Sequence, residues 1–359
     1  MPKIGHPMSP LRADVDVSDR GLFRRIYMET FMKSFQAYFM VSGVLFGAMA
    51  AAPVRADFLY VTQPSAGTVS NVSSSGSVTS NSSGYSSNDG IAVNPSGTKL
   101  YVTNSGSNTF QSVSASGGTP GTGIATGNSP IGIATDSSGN IYVLNAGDGT
   151  VGKYNSSGTL LNGSFISGLT GSNRYLAIDT SGNVYITSFN PSGTTSTLTK
   201  FTSAGGSSGT VVAAITRNQF ISGGAQGIAL NGGFAYVANG NADSSGHQAV
   251  DKIDLSNGTV TTYNTSGTSL NNPFGVAFDS SGNLYVANNS SAGIIKIDTS
   301  GVASTFTASV TFGAGLAAAP TGSPEPSSLS LMGLALALFA AYRRWRLTPS
   351  AAAVQGSLC

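Results

Sequence analysis

Residues 275–298 read GVAFDSSGNLYVANNSSAGIIKID, and this stretch decides the fold. A first apolar run, Val276, Ala277 and Phe278, ends at the turn Asp279-Ser280-Ser281-Gly282-Asn283. A second run, Leu284, Tyr285, Val286 and Ala287, follows, and after Asn288-Asn289-Ser290-Ser291 comes a third, Ile294, Ile295 and Ile297. Short β-branched and aromatic runs bounded by Gly, Ser, Asn and Asp read as antiparallel strands joined by hairpins. Gly282 stands where such a hairpin needs a positive φ, and the Asp279 side chain can bond the turn backbone.

The unit recurs along the middle of the chain. Tyrosines that open a second strand fall at Tyr60, Tyr101, Tyr142, Tyr185, Tyr236 and Tyr285, at spacings of 41, 41, 43, 51 and 49. Five are preceded by a first-strand text: GIAVNPSG from Gly90, GIATDSSG from Gly132, YLAIDTSG from Tyr175, GIALNGG from Gly227 and GVAFDSSG from Gly275. A third strand often ends in Lys-apolar-polar, at Lys153, Lys200, Lys252 and Lys296, and a fourth run such as residues 258–263 completes the unit. Four strands in 40–50 residues is the period of a propeller blade. The ends complement one another. Tyr60 lacks a first strand, and residues 315–319 form a first strand with no tyrosine strand after it. Pairing residues 315–319 with 58–62 closes a ring of six blades and removes two open sheet edges. The expected fold is therefore all-β, a six-bladed propeller of four-stranded blades over residues 57–322. The open alternatives are a solenoid or a five-bladed ring with a ragged tail.

The flanks have a different character. Residues 1–31 carry charge and no strand pattern, and fit an extension upstream of a start at Met28 or Met32. Residues 32–56 combine Lys33, an apolar run over 35–52 and the small residues Val54 and Ala56, which is a secretory signal peptide with its cut between Ala56 and Asp57. An uncut membrane anchor is the alternative. At the other end, Pro324-Glu325-Pro326 precedes the apolar residues 329–342 and then Arg343, Arg344 and Arg346. A short apolar segment with a basic stop reads as a membrane-held tail whose charges stay cytoplasmic. Residues 347–359 extend beyond it.

Composition limits the chemistry. Only 9% of residues are charged, and between 57 and 322 seven Lys/Arg face ten Asp, a net of −3, with no Glu. No basic patch with interleaved aromatics appears, which argues against nucleic acid as a partner. The single cysteine, Cys359, excludes an internal disulfide framework. His247 is the only histidine after residue 6, and a lone histidine lacks the second base or metal partner that catalysis needs. Asp136, Asp179 and Asp279 fit turn formation rather than a Ca²⁺ site, which would need several converging oxygens. No cofactor or metal is expected. Asn104, Asn145, Asn239 and Asn288 recur just after the tyrosine strands, with Gln63 and Ser188 at the remaining two places. They read either as turn residues that tolerate left-handed backbone or as a ring of amides on one rim, offered to a glycan.

Two resemblances add to this reading. The GIAxDSSGNLYVAN text resembles NHL-type six-bladed propellers over residues 57–322, which implies first strands lining a central channel and a binding face on one rim. The order Pro-Glu-Pro, short helix, basic cluster in residues 323–346 resembles the PEP-CTERM sorting tail of Gram-negative bacteria. That implies an exosortase as processing partner, transient residence in the cytoplasmic membrane through the C-terminal helix, and a destination at or beyond the outer surface, among biofilm and exopolysaccharide. The residues beyond 346 depart from the family, whose chains usually stop soon after the basic cluster. The expected function is a non-enzymatic binding or scaffold module of the extracellular matrix. The alternative is a hydrolase or lyase of the propeller type. Gluconolactonase-like relatives would need a glutamate among the metal ligands, and streptogramin-lyase-like ones would need histidine–acid pairs. Neither is found in the body.

Overall fold

A computed structural model describes residues 59–189, 195–216, 225–240, 248–263, 266–288, 293–307, 309–310 and 313–320. The signal segment, the sorting tail with Pro324, Glu325, Pro326, Arg343, Arg344 and Arg346, the junction Ala56–Asp57 and His247 all lie outside the described residues. Among those described, no helix is long and apolar enough to cross a membrane.

Six antiparallel sheets make up the body. The second blade shows the plan: from the axis outwards its strands are Ile91–Val93, Lys99–Asn104, Thr109–Ser114 and Ile124–Ala125. The six innermost strands are Leu316–Ala318, Ile91–Val93, Pro130–Thr135, Ser172–Ile178, Ala225–Asn231 and Pro273–Phe278, and each packs against the next around a closed circle. The ring closes as the sequence implies. Leu316–Ala318 joins Leu59–Gln63 in one sheet, with Leu59 opposite Ala318 and Val61 opposite Leu316. Backbone bonds from Thr62 N to Gly315 O (3.1 Å) and from Ala314 N to Thr62 O (3.0 Å) extend the seam. One departure from a four-stranded plan occurs in the sixth blade, where Ser266–Gly267 adds a short parallel strand against Val302–Thr307.

Apolar burial is distributed between blades rather than gathered in one centre. Six clusters of buried side chains occupy the six interfaces between neighbouring sheets. The second-strand tyrosines belong to these clusters. Tyr285 of the sixth blade packs with Leu59, Val61 and Leu316 of the first, and Tyr101 of the second with Ile133 and Ile141 of the third. A strand rich in Val, Ile and Tyr that is buried on both faces suits this arrangement, because each sheet has a neighbour on either side.

The repeated hairpin is fixed by its aspartate. Asp279 Oδ1 accepts from Asn283 N (2.8 Å), and Oδ2 accepts from Asn283 Nδ2 (2.7 Å) and from the Tyr285 hydroxyl (3.2 Å). Asp136 and Asp179 do the same for their own turns and for Tyr142 and Tyr185. Gly282 takes φ 81° at the turn, as do Gly139 and Gly182. On the tyrosines' other side, Lys153, Lys200, Lys252 and Lys296 each stand across the strand pair and set an ammonium over the ring, at 5.0, 5.6, 5.8 and 5.9 Å from the centroid. This explains the recurring Lys of the third strand: its ammonium is drawn to the negative face of the ring.

Candidate functional site

The axis is the place where all six blades meet. The first strands crowd it so closely that their glycines have neighbours' backbones against them. A Cβ on Gly90 would stand 2.3 Å from Ile131 O, and one on Gly315 would stand 2.4 Å from Asp89 O. The fourth blade breaks the rule, with Tyr175 at the glycine position. Tyr175 and Leu176 line the channel with Ile91, Ile133, Ile228 and Leu316, and the cavity they enclose is about 50 Å³. Pockets for small-molecule ligands run to roughly 300–1,000 Å³. The channel therefore holds only water-sized guests.

At one mouth the first strands are bulged. Their pairing skips between Pro130 and Gly132, Asn173 and Leu176, Ala225 and Ile228, and Pro273 and Val276. Bulges re-aim side chains and leave ladder groups unpaired. In the first, second and fourth blades, of which only the fourth is among those bulged, a threonine of the second strand ties the start of the first strand to the next blade. Gly315 N donates to Thr62 Oγ1 (2.7 Å), which donates on to Asp89 O (2.9 Å) in the next blade. Thr103 links Gly90 N (2.8 Å) to Ile131 O (3.3 Å), and Thr187 links Tyr175 N (3.2 Å) to Gln226 O (2.7 Å). The signal for these inter-blade staples is the third residue of Tyr-x-Thr at 60–62, 101–103 and 185–187, which the sequence reading passed over.

The rim asparagines have a different place from the exposed amide ring the sequence suggests. Asn104, Asn145, Asn239 and Asn288 are only 6, 1, 1 and 2% exposed. None of them has the left-handed backbone of the turn reading, which falls instead to Ser87, Asn108, Ser129 and Asn272. Their amides face inwards to the protein. Asn104 Oδ1 accepts from Ser86 N (2.8 Å) and Asn288 Oδ1 from Asn271 N (2.6 Å), each clasping the segment that leads into a first strand. Asn239 Nδ2 donates to Asp251 (2.7 Å) and Asn145 Nδ2 to Thr150 (3.2 Å). Strand-end positions look exposed in a linear text, but here the neighbouring connector lies across them.

What remains at the mouth is a pair of charges. Asp89 precedes Gly90 in the second blade, and Arg174 precedes Tyr175 in the fourth. Burial holds the Asp89 carboxyl above the ordinary carboxylate range, while a hydrogen bond from Ser105 Oγ (3.3 Å to Oδ2) and the Arg174 charge pull it part of the way back. Tyr175 is pushed far up, first by burial and then by the Asp89 charge, with Arg174 opposing. Other aspartates move the opposite way. At Asp179 burial is outweighed by bonds from Asn183, Ser181 and Tyr185. At Asp254 and Asp298 bonds from Ser256 and Ser300 lead.

The sign of the Asp89 shift gives a test. Its folded value lies above its unfolded one, about 3.9 for a free aspartate. Between the two the folded state binds more protons, so stability falls as pH rises through that window. Asp89→Asn is therefore expected to raise the melting temperature by a few degrees at pH 7, and the gain should vanish below the unfolded value. An unchanged or lowered transition at pH 7 would contradict the assignment.

Comparison with known proteins supports the architecture. No family model matches the chain, and no curated protein matches it. Among solved structures, a chain in the crystal structure of a nidogen/laminin complex superposes with a TM-score of 0.58 at 17% identity, covering 74% of this chain and 98% of that one. Hydrazine synthase of Kuenenia stuttgartiensis gives 0.54 at 17% identity, over 67% of this chain and 73% of that one. A functionally unknown protein from Desulfotomaculum acetoxidans gives 0.52 at 15% identity, over 74% and 99%. At these identities the likeness is one of fold, the six-bladed propeller.

Proposed function

We propose that the protein is an exported, surface-associated bacterial propeller that binds or scaffolds matrix polymer and is sorted by an exosortase. The observation that carries this reading is the ordered tail: Pro324-Glu325-Pro326, the apolar residues 329–342, then Arg343, Arg344 and Arg346. Proline resists helix and lacks a backbone donor, and a processing protease needs backbone that it can grip without unfolding a domain. The closing strand ends at Ala318, so a cut at 324–326 leaves the seam of the ring intact. The second reading, a lactonase-like hydrolase or lyase, asks for acids converging on one mouth. Asp136, Asp179 and Asp279 are instead taken up by their own turns.

Intact-mass analysis of the protein recovered outside the cell tests the sorting. The expected species begins at Asp57 and lacks everything after the link, including Cys359. Replacing Pro324-Glu325-Pro326 with alanines should leave a folded ring retained uncut in the cytoplasmic membrane. An exported species that still carries residues 343–359 rules the sorting out.

A further inference from the structure

Asp89 is set apart from the other described aspartates by how little it is bonded. Asp136 and Asp179 each accept from two backbone N–H groups, an asparagine amide and a tyrosine hydroxyl. Asp148 accepts twice from Asn128 at 2.7 Å, and Asp254 and Asp298 three times each within their turns. The Asp89 carboxylate has one long bond, from Ser105 at 3.3 Å. A carboxylate has room for about four donors. In Arg174 the Nε is shielded from solvent and has no hydrogen-bond partner. A buried charged donor left without an acceptor is costly. The two charges act on each other and on the Tyr175 phenol, yet no hydrogen bond joins Asp89 to Arg174 among the described residues. A half-buried carboxylate with one long protein bond and a guanidinium whose Nε has no partner thus flank an aromatic residue at the mouth of a channel too narrow to admit a ligand.

We infer that this mouth binds the end group of a neutral saccharide, with Asp89 accepting from its hydroxyls, Arg174 donating to its hydroxyl oxygens and Tyr175 forming the apolar floor. Opposite charges close together favour a ligand with no net charge. A free anion meets Asp89 and a free cation meets Arg174. A polyol offers donors and acceptors on adjacent carbons, which suits a carboxylate beside a guanidinium fork. The roughly 50 Å³ of channel beneath lets only an end group settle, with the rest of the chain running outwards over the face. The inference rests on the body being a binding module, and it does not depend on how the protein is sorted.

The test is equilibrium binding to the purified full-length chain. The probes are the methyl glycosides of glucose, galactose, mannose and N-acetylglucosamine, with acetate and glycine as the anionic and zwitterionic alternatives. Saturable binding of at least one glycoside is expected. Asp89→Asn and Arg174→Gln should each weaken it by about tenfold or more, the usual cost of losing one charge-assisted hydrogen bond. Thermal unfolding of each variant reports that the ring is intact. If Arg174→Gln does not fold, Arg174→Lys keeps the charge without the fork and must weaken binding likewise. Loss in both positions supports the inference. Binding of acetate or glycine alone, glycoside binding that either variant leaves unchanged, or no glycoside binding at all overturns it.

Discussion

A chain ending at Ala314 is expected to lose its cooperative unfolding transition, while a chain ending at Pro320 keeps it. The difference is the closing strand Leu316–Ala318 and Gly315 before it. Leu316 is buried with Leu59, Val61 and Tyr285, so its removal strips the seam between the sixth and first blades. The deletion also takes the partners of Thr62: Gly315 O, which accepts from its N, and Gly315 N, which donates to its hydroxyl. One large apolar side chain and several buried hydrogen bonds come to about 5 kcal/mol or more. Typical domains are stable by about 5–15 kcal/mol, so the loss is comparable with the whole margin. The open ring in addition bares the edge of Leu59–Gln63 to pairing with other chains. Urea unfolding of the two truncations, with sedimentation to detect association, decides the matter. Equal midpoints would mean that the ring does not depend on its seam.

Gly90→Ala is expected to destabilise the body by about 3 kcal/mol or more, well beyond the usual cost of a methyl group, because the new atom meets backbone rather than a yielding side chain. The added Cβ would lie 2.3 Å from Ile131 O, with Ile133 N at 3.2 Å. Relief requires the second and third blades to move apart at the axis, where Thr103 staples them. Gly163→Ala is the matched control. Its Cβ would meet only Leu160 Cδ2, at 3.9 Å, on an exposed outer strand, and the change should be small. Denaturant midpoints that fall equally for both variants would show that close approach at the axis is not what these glycines serve.

Much of this protein was legible in one dimension because its long-range contacts repeat. Each blade presents the same hairpin, so Asp279-Ser280-Ser281-Gly282-Asn283 and its copies reported both the turn and the blade count. The two incomplete units at residues 58–62 and 315–319 reported the closure, since a strand text without its partner implies the partner elsewhere. The tyrosines were legible as packing residues for the same reason. The rim was not. Asn104, Asn145, Asn239 and Asn288 stand at strand ends, where a linear reading places solvent. Whether such a residue is exposed depends on the connector of the same ring that folds over it, as the backbone at Ser86 and Asn271 does.

The sequence by itself determined the all-β class, the period, the six blades and the joining of the two ends, all properties of local pattern and count. Only the tertiary structure decided what lies at the axis. Asp89 and Arg174 sit 85 positions apart in blades that are not neighbours, and neither belongs to the repeated text. They come together because the circle brings the starts of all first strands to one mouth, where partial burial of Asp89 lets the Arg174 charge be felt at its carboxyl.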